Sequence, residues 1–197
     1  MKLLTFTIPC YNSEAYMEKC IESLIAGGDR MEIIIIDDGS KDNTGAIADS
    51  YAQRYPQIVR VIHQENGGLS AARNTGIRNS TGDYVMFLDA DDWFLSDALE
   101  TAYSEAKGND TDISIFQIIK YFDGEYGQND WFNLNNFNES FENRVFNPHE
   151  CGDFLFDMSV SACQKIFNRK FLCEIKAKFP KGIYFEDMPF FFYTFLK

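Results

Sequence analysis

The sequence predicts an α/β fold with a mostly parallel central sheet, and three observations carry that prediction. Short apolar runs alternate with segments of helical periodicity over residues 1–120, the order that builds an open sheet covered by helices. The runs that end at Ile36 and Leu88 are apolar at successive positions rather than alternating, as in strands buried on both faces. Both end abruptly in carboxylates, Asp37-Asp38 and Asp89-Ala90-Asp91-Asp92, which places acids at the carboxyl edge of the sheet, where such folds bind ligands.

Taken in order, Leu3 to Ile8 reads as a first strand, stopped by Pro9-Cys10-Tyr11-Asn12. Asn12 or Ser13 then caps a helix whose apolar positions Met17, Cys20, Ile21, Leu24 and Ile25 recur at helical spacing up to Gly27-Gly28. Glu32 to Ile36 is a second strand, followed by a helix over 44–55 that stops before Pro56. Val59 to His63 is a third strand. Asn66-Gly67-Gly68 turns into a helix over Leu69 to Asn79, whose small residues suit close packing on a sheet. Tyr84 to Leu88 is the fourth strand, Asp97 to Lys107 a helix and Ile113 to Ile119 a fifth strand. From Lys120 to Asn147 periodicity fails, which predicts a long loop or irregular hairpin over the ligand edge. Beyond it, Glu150 to Met158 and Val160 to Ile175 read as helices and Phe179 to Phe185 as extended. Glu186-Asp187 opens a last apolar helix that runs out at Lys197.

The 197 residues suffice for one domain with a sizeable core. The net charge of −12 argues against a nucleic-acid binder, since affinity for that phosphate backbone rests on Lys and Arg; a nucleotide bound here is expected to arrive with a metal. Aromatic content of 16% is high, with much of the excess after residue 115. The five cysteines form no CxxC pair and no zinc spacing, and read as reduced core thiols of a cytosolic protein. No signal-peptide core is present, and the apolar run Met188 to Leu196 is far shorter than the roughly 20 residues that cross a bilayer.

The loops at the carboxyl edge carry the chemistry. Three acids within four residues, Asp89, Asp91 and Asp92, repel one another unless a cation intervenes, so their plain use is to hold a divalent metal, with Asp91 the best ligand and Asp89 the second candidate. Asp38 suits the imide N–H of a uracil or a ribose hydroxyl, and Gly39 lets a base approach the backbone. Arg73 is placed to face an anion together with the helix start at Gly68, or to pair with Asp89; the two roles are compatible. His63 and His149 read as structural. The aromatic cluster 190–195 reads as core or interface.

These residues resemble the inverting glycosyltransferases of the large family 2, of bacterial polysaccharide type. The matching blocks are Thr7 to Asn12, Ile36 to Thr44, Asn66 to Gly76 and Phe87 to Asp92, with a weaker fifth over Tyr184 to Phe190. The resemblance implies a GT-A, Rossmann-like sandwich. Residues 1–115 would be the nucleotide-sugar-binding half, and 116–197 the acceptor-side half of the same domain, cut short at its C-terminus. It implies a UDP-linked sugar donor, Mg²⁺ or Mn²⁺ at Asp91, and a glycan or lipid-linked acceptor in cell-surface polysaccharide synthesis, on the cytoplasmic side of a membrane. Nucleotide contacts would come from Pro9, Tyr11, Asn12, Asp37, Asp38, Gly68, Arg73, Asp89 and Ala90, and the general base would be Asp187, with Glu186 the alternative. By the residues alone, Tyr184 and Phe185 are expected to desolvate that base. A continuation beyond Lys197 would complete the acceptor site and dock peripherally at the membrane, and an oligomer remains open.

Two other functions fit parts of the pattern. A haloacid-dehalogenase-type phosphatase also uses an apolar strand ending Asp-x-Asp, but on its first strand. A non-catalytic nucleotide-sugar-binding scaffold would keep Asp38 and Asp91 and need no base.

Overall fold

The computed structural model describes residues 2–95, 98–128, 141 and 144–197. Its centre is a six-stranded sheet in the order β3-β2-β1-β4-β8-β5, in which β5 is Ile113–Ile115 and β8 is Lys165–Asn168. Strands β1 (Leu4–Cys10), β2 (Met31–Asp37), β3 (Val59–His63) and β4 (Tyr84–Phe87) are mutually parallel, as the alternating pattern predicted. Every residue of β1, β2 and β4 is buried, which is why their sequences are largely apolar; the buried Thr5, Thr7 and Glu32 are exceptions.

One face is covered by α1 (Met17–Ile25), α2 (Thr44–Arg54) and α4 (Ala98–Gly108), which pack Ile21, Leu24, Tyr51, Leu99 and Tyr103 against Phe6, Ile8, Ile33 and Ile35. The expected first residue of α4, Asp97, lies outside the described residues. The other face carries α3 (Leu69–Asn79) over Ile34 and Ile36. α3 lies very close to β1: a Cβ on Gly76 would stand 2.6 Å from Thr7 Cβ. β1 runs on through Pro9 and Cys10, two residues further than expected. Proline is tolerated there because β4 pairs with β1 only as far as Thr7, so no neighbouring carbonyl needs the missing N–H.

The second half differs from the sequence reading. Ile113–Ile115 alone forms β5, and Ile119 opens a separate hairpin of β6 (Ile119–Phe122) and β7 (Glu125–Gln128). Of the remainder of the expected irregular stretch, residues 129–140, 142 and 143 lie outside the described residues. The helix expected over Glu150 to Met158 is replaced by single 3₁₀ turns, broken at Gly152, whose φ of 55° no regular helix accepts.

The helix expected over Val160 to Ile175 is also absent. Lys165–Asn168 is instead β8, antiparallel to both β4 and β5, and only Arg169–Glu174 is helical, as α5. The apolar Ile166 and Phe167 fill the sheet slot beside β4, a tertiary demand that local periodicity does not reveal. Phe179 to Phe185 forms no strand. The closing helix is α6 (Asp187–Phe195), whose Phe190 and Phe191 are core: Phe190 stacks on Phe179 with ring centroids 3.8 Å apart.

Candidate functional site

The strand order turns at β1, with β2 and β3 to one side and β4 to the other, so the crevice at the carboxyl ends of β1 and β4 is the natural ligand site. The loops that follow β1 and β2 are stitched together there. Asn12 sits at a positive φ of 51°, its Oδ1 accepts from the Lys41 backbone N–H at 2.8 Å, and its own N–H donates to Ser40 Oγ. The Asp38 N–H donates to the carbonyl of Cys10. Pro9 is buried at the strand end and Tyr11 is half exposed at the rim.

Asp37 and Asp38 are both buried, and each has a definite task. Asp37 accepts from the Ser40 N–H at 3.0 Å and pairs with His63 Nδ1 at 2.9 Å, while His63 Nε2 meets Asp49. Burial works upward on the Asp37 carboxyl, but the hydrogen bonds of Ser40 and His63 outweigh it and hold the group below its ordinary value. Asp38 accepts from Gln64 Nε2 at 2.6 Å and from the N–H groups of Gly67 and Gly68 at 3.0 and 2.8 Å. This carboxylate therefore shapes the turn that starts α3, and of its roughly four acceptor positions one remains for a ligand. Gly68 has φ 81°, a conformation that suits glycine at the helix start. Gln64, absent from the sequence reading, links Asp38 to Thr75 of α3.

Arg73 is the hub. It is 2% exposed, and its guanidinium joins two loops that are distant in sequence: Nη2 donates to Asp89 Oδ1 at 3.0 Å, while Nη1 donates to Glu186 Oε1 at 2.9 Å and Asp187 Oδ1 at 2.5 Å. A planar fork with several donors suits such bridging, which an ammonium could not reproduce. The helix that carries Arg73 also fixes the approach to Glu186: Asn74 exchanges two 2.8 Å hydrogen bonds with the backbone of Phe179, and Ser70 Oγ donates to the Pro180 carbonyl at 2.7 Å.

Asp187 has a second partner, the Ala162 N–H at 3.3 Å from Oδ2. Burial raises its proton affinity, Arg73 and the Ala162 N–H lower it, and Glu186 and Asp89 raise it again; the balance lies above the ordinary aspartate value. That desolvation does not come from the neighbouring aromatics, contrary to expectation. Tyr184 and Phe185 point into solvent, 91% and 80% exposed, and the packing around Asp187 comes from α3 and the Ala162 turn. The positive φ of Phe185, 58°, turns the chain so that the two rings face outward while the carboxylates face in.

Lys165 was not singled out as a site residue from the sequence. It is buried, and its Nζ donates at 2.7 Å to the carbonyls of Ser159 and Ser161, the turn that presents the Ala162 N–H to Asp187. Burial brings its pKa down to about 7, against the opposing pull of Asp187.

On the β4 side, Ala90 is buried, and Asp91 projects to the surface with no hydrogen bond or ion pair among the described residues. No group of three metal-ligating side chains gathers among the described residues. The donor set nevertheless fits a hard divalent cation. Among the described residues nothing holds either oxygen of Asp91 or the second oxygen of Asp89, so water and phosphate would complete the shell. Desolvation, then the charges of Asp89 and Asp91, push Asp92 up to about 6. Trp93 closes this edge against Tyr121 of the β6–β7 hairpin, with Lys19 Nζ 3.1 Å from the centroid of its ring.

The chain resembles known proteins over the same elements. It is 46% identical over 112 residues to the uncharacterized glycosyltransferase EpsJ of Bacillus subtilis (strain 168), covering 56% of this chain and 32% of EpsJ. It is 35% identical over 133 residues to the minor teichoic acid biosynthesis protein GgaB of the same organism, covering 66% of this chain and 14% of GgaB. It thus spans about a third or less of these two relatives. Among solved structures, S. aureus TarS 1–349 in complex with UDP-GlcNAc superposes with a TM-score of 0.78 at 22% identity, over 100% of this chain and 54% of that one. This likeness shows a shared fold. A profile described as glycosyl transferase family 2 matches residues 5–167, a span that reaches into every strand of the sheet and takes in the loops at its carboxyl edge up to Asp92. With that match over most of its length, the chain belongs to glycosyl transferase family 2.

Proposed function

We propose that the chain is the catalytic core of an inverting glycosyltransferase. It takes a sugar from a UDP-linked donor and passes it to a hydroxyl of a glycan or lipid-linked acceptor in cell-surface polymer synthesis. In this reading residues 1–115 hold the donor and 116–197 the acceptor. The observation that carries it is the Arg73 bridge, which brings a desolvated carboxylate, Asp187, to the acid loop of the donor edge. A donor sugar in that crevice would lie between the two. The UDP-GlcNAc held by TarS and the teichoic acid role of GgaB support the choice of donor and polymer class.

Asp187 is the general base: its raised proton affinity suits removal of a proton from a weakly nucleophilic hydroxyl, a contribution of about 10²–10⁴-fold. Arg73 orients it through Nη1 and restrains Asp89 through Nη2. Asp38 and the Gly67-Gly68 turn receive the nucleoside, with Pro9, Tyr11, Asn12 and Asp37 forming the wall of that pocket. A Mg²⁺ or Mn²⁺ ion held by Asp91 would supply charge neutralisation to the diphosphate. The test is a thermal-stability screen with Mn²⁺ and UDP-, GDP- and dTDP-sugars. A UDP-sugar at a hundred times its Kd should add about 2.7 kcal/mol, and stabilisation by none of them would refute the donor assignment.

A further inference from the structure

A second concave surface lies beside α3, away from the crevice. It is a groove of about 820 Å³ between the C-terminal half of α3, α5 and the segment 176–181. Five of its lining side chains are cationic, Arg78, Arg169, Lys176, Lys178 and Lys181, and none is acidic. None of the five enters an ion pair among the described residues. The local sequence is equally one-sided: residues 161–185 hold six basic residues and one acid, Glu174, in a chain of net charge −12. Glu174 lies 3.7 Å from Lys170, outside the groove lining. Unneutralised cations in a cleft focus a field that attracts anions.

The groove is built on fixed parts. Asn74 and Ser70 tie Phe179 and Pro180 to α3, and Arg169 Nε donates to the Gly82 carbonyl at 2.6 Å. The lining residue Pro180 is tied to Ser70, which stands one helical turn before Arg73, and the chain runs on from Lys181 to Glu186. The groove's concave form and its volume, within the usual range of about 300–1,000 Å³ for ligand pockets, favour a segment of a discrete ligand over a flat membrane surface. We infer that this groove binds an extended phosphate-bearing ligand. Resting on the glycosyltransferase reading above, that ligand is the acceptor, whose phosphodiester groups the groove holds while one of its hydroxyls reaches Asp187.

The native chain provides a reporter, since Cys173 lines the groove and is exposed, whereas Cys10, Cys20, Cys151 and Cys163 are buried. Fluorescently labelled inorganic polyphosphate would be titrated against the protein by anisotropy at several salt concentrations, with and without saturating UDP, and Cys173 alkylation followed in parallel. The expected result is binding that weakens with salt, slower alkylation of Cys173, and at least a tenfold loss of affinity in Lys178→Glu/Lys181→Glu with UDP affinity unchanged. The milder Lys178→Gln/Lys181→Gln pair should lose affinity in the same direction. Absence of polyphosphate binding, or equal binding by both variant pairs, overturns the inference. Orthophosphate binding as tightly as polyphosphate overturns its extended character. Binding to phosphatidylglycerol vesicles without binding to polyphosphate overturns it in favour of a lipid surface. Loss of UDP binding with polyphosphate binding intact would instead sink the enzyme reading and leave the groove standing.

Discussion

Arg73 Nη1 donates to Asp187 Oδ1 at 2.5 Å across 114 positions of sequence, while the other terminal nitrogen of the same guanidinium holds Asp89. A single buried cation thus couples the acid loop after β4 to the first residue of α6. Without it, three carboxylates of like charge would share one partly buried space. Among the described residues its Nε has no hydrogen-bond partner, and its three polar contacts with carboxylates all come from the two terminal nitrogens.

Arg73→Met should therefore destabilise the fold by about 3–5 kcal/mol, the usual result of removing one partner from a buried charged cluster. Arg73→Lys should recover only part of this, because an ammonium cannot reproduce the planar fork. Chemical denaturation of the three proteins checks both statements; equal midpoints would show that the network carries no stability.

Asp187→Asn should lower turnover by at least about a hundredfold while the affinity for UDP-sugar changes little, because the base meets the acceptor rather than the nucleotide. In the wild type, kcat should rise with pH through a value above the ordinary aspartate pKa, since Asp187 must be deprotonated to act and its proton affinity is raised. If Asp187→Asn is active and Glu186→Gln is not, the base is one residue earlier.

Lys165 gives a signed pH dependence of stability. Its pKa falls from 10.5 to about 7 on folding, so between those values the native state binds fewer protons than the unfolded chain, and its contribution to stability rises with pH across that window. Lys165→Met should remove this rise. Urea midpoints of both proteins from pH 7 to 10.5 provide the comparison, and parallel curves would contradict the assignment.

Gly76→Ala should destabilise by about 1–3 kcal/mol, the typical cost of overpacking. The added methyl would stand 2.6 Å from Thr7 Cβ and 2.7 Å from Thr7 Cγ2, with β1 fixed in the centre of the sheet. α3 must then lift, and with it Arg73. A calorimetric Tm equal to that of the wild type would show that the interface yields without cost.

Chelator treatment and Asp91→Ala should each weaken UDP-sugar binding by about tenfold or more, equivalent to 1.4 kcal/mol, because a diphosphate meets an acidic edge at Asp89, Asp91 and Asp92. Isothermal titration with and without Mn²⁺ reads this directly. Equal affinity in chelated protein would remove the metal from the site.

The sequence alone determined the parallel half of the sheet. Strands buried on both faces are largely apolar, and the helices between them announce themselves by period and by glycine or proline at their ends. It also determined which loops lie at the carboxyl edge, since in a parallel sheet every strand delivers its C-terminal residues to the same side. Asp37, Asp38, Asp89 and Asp91 were legible for that reason.

Only the tertiary structure decided what the acids are tied to. Whether Ile166 and Phe167 belong to a helix or a strand depends on an open slot beside β4, which no local pattern records. The partial burial of Asp187 depends on contacts more than a hundred positions away, so the neighbouring aromatics suggested the right consequence from the wrong residues. Arg73 could be read as an anion ligand or as the partner of Asp89. Its bonds to Glu186 and Asp187 exist because the Phe179 and Pro180 backbone is clamped to α3, a contact between distant segments that forms only when the chain is folded.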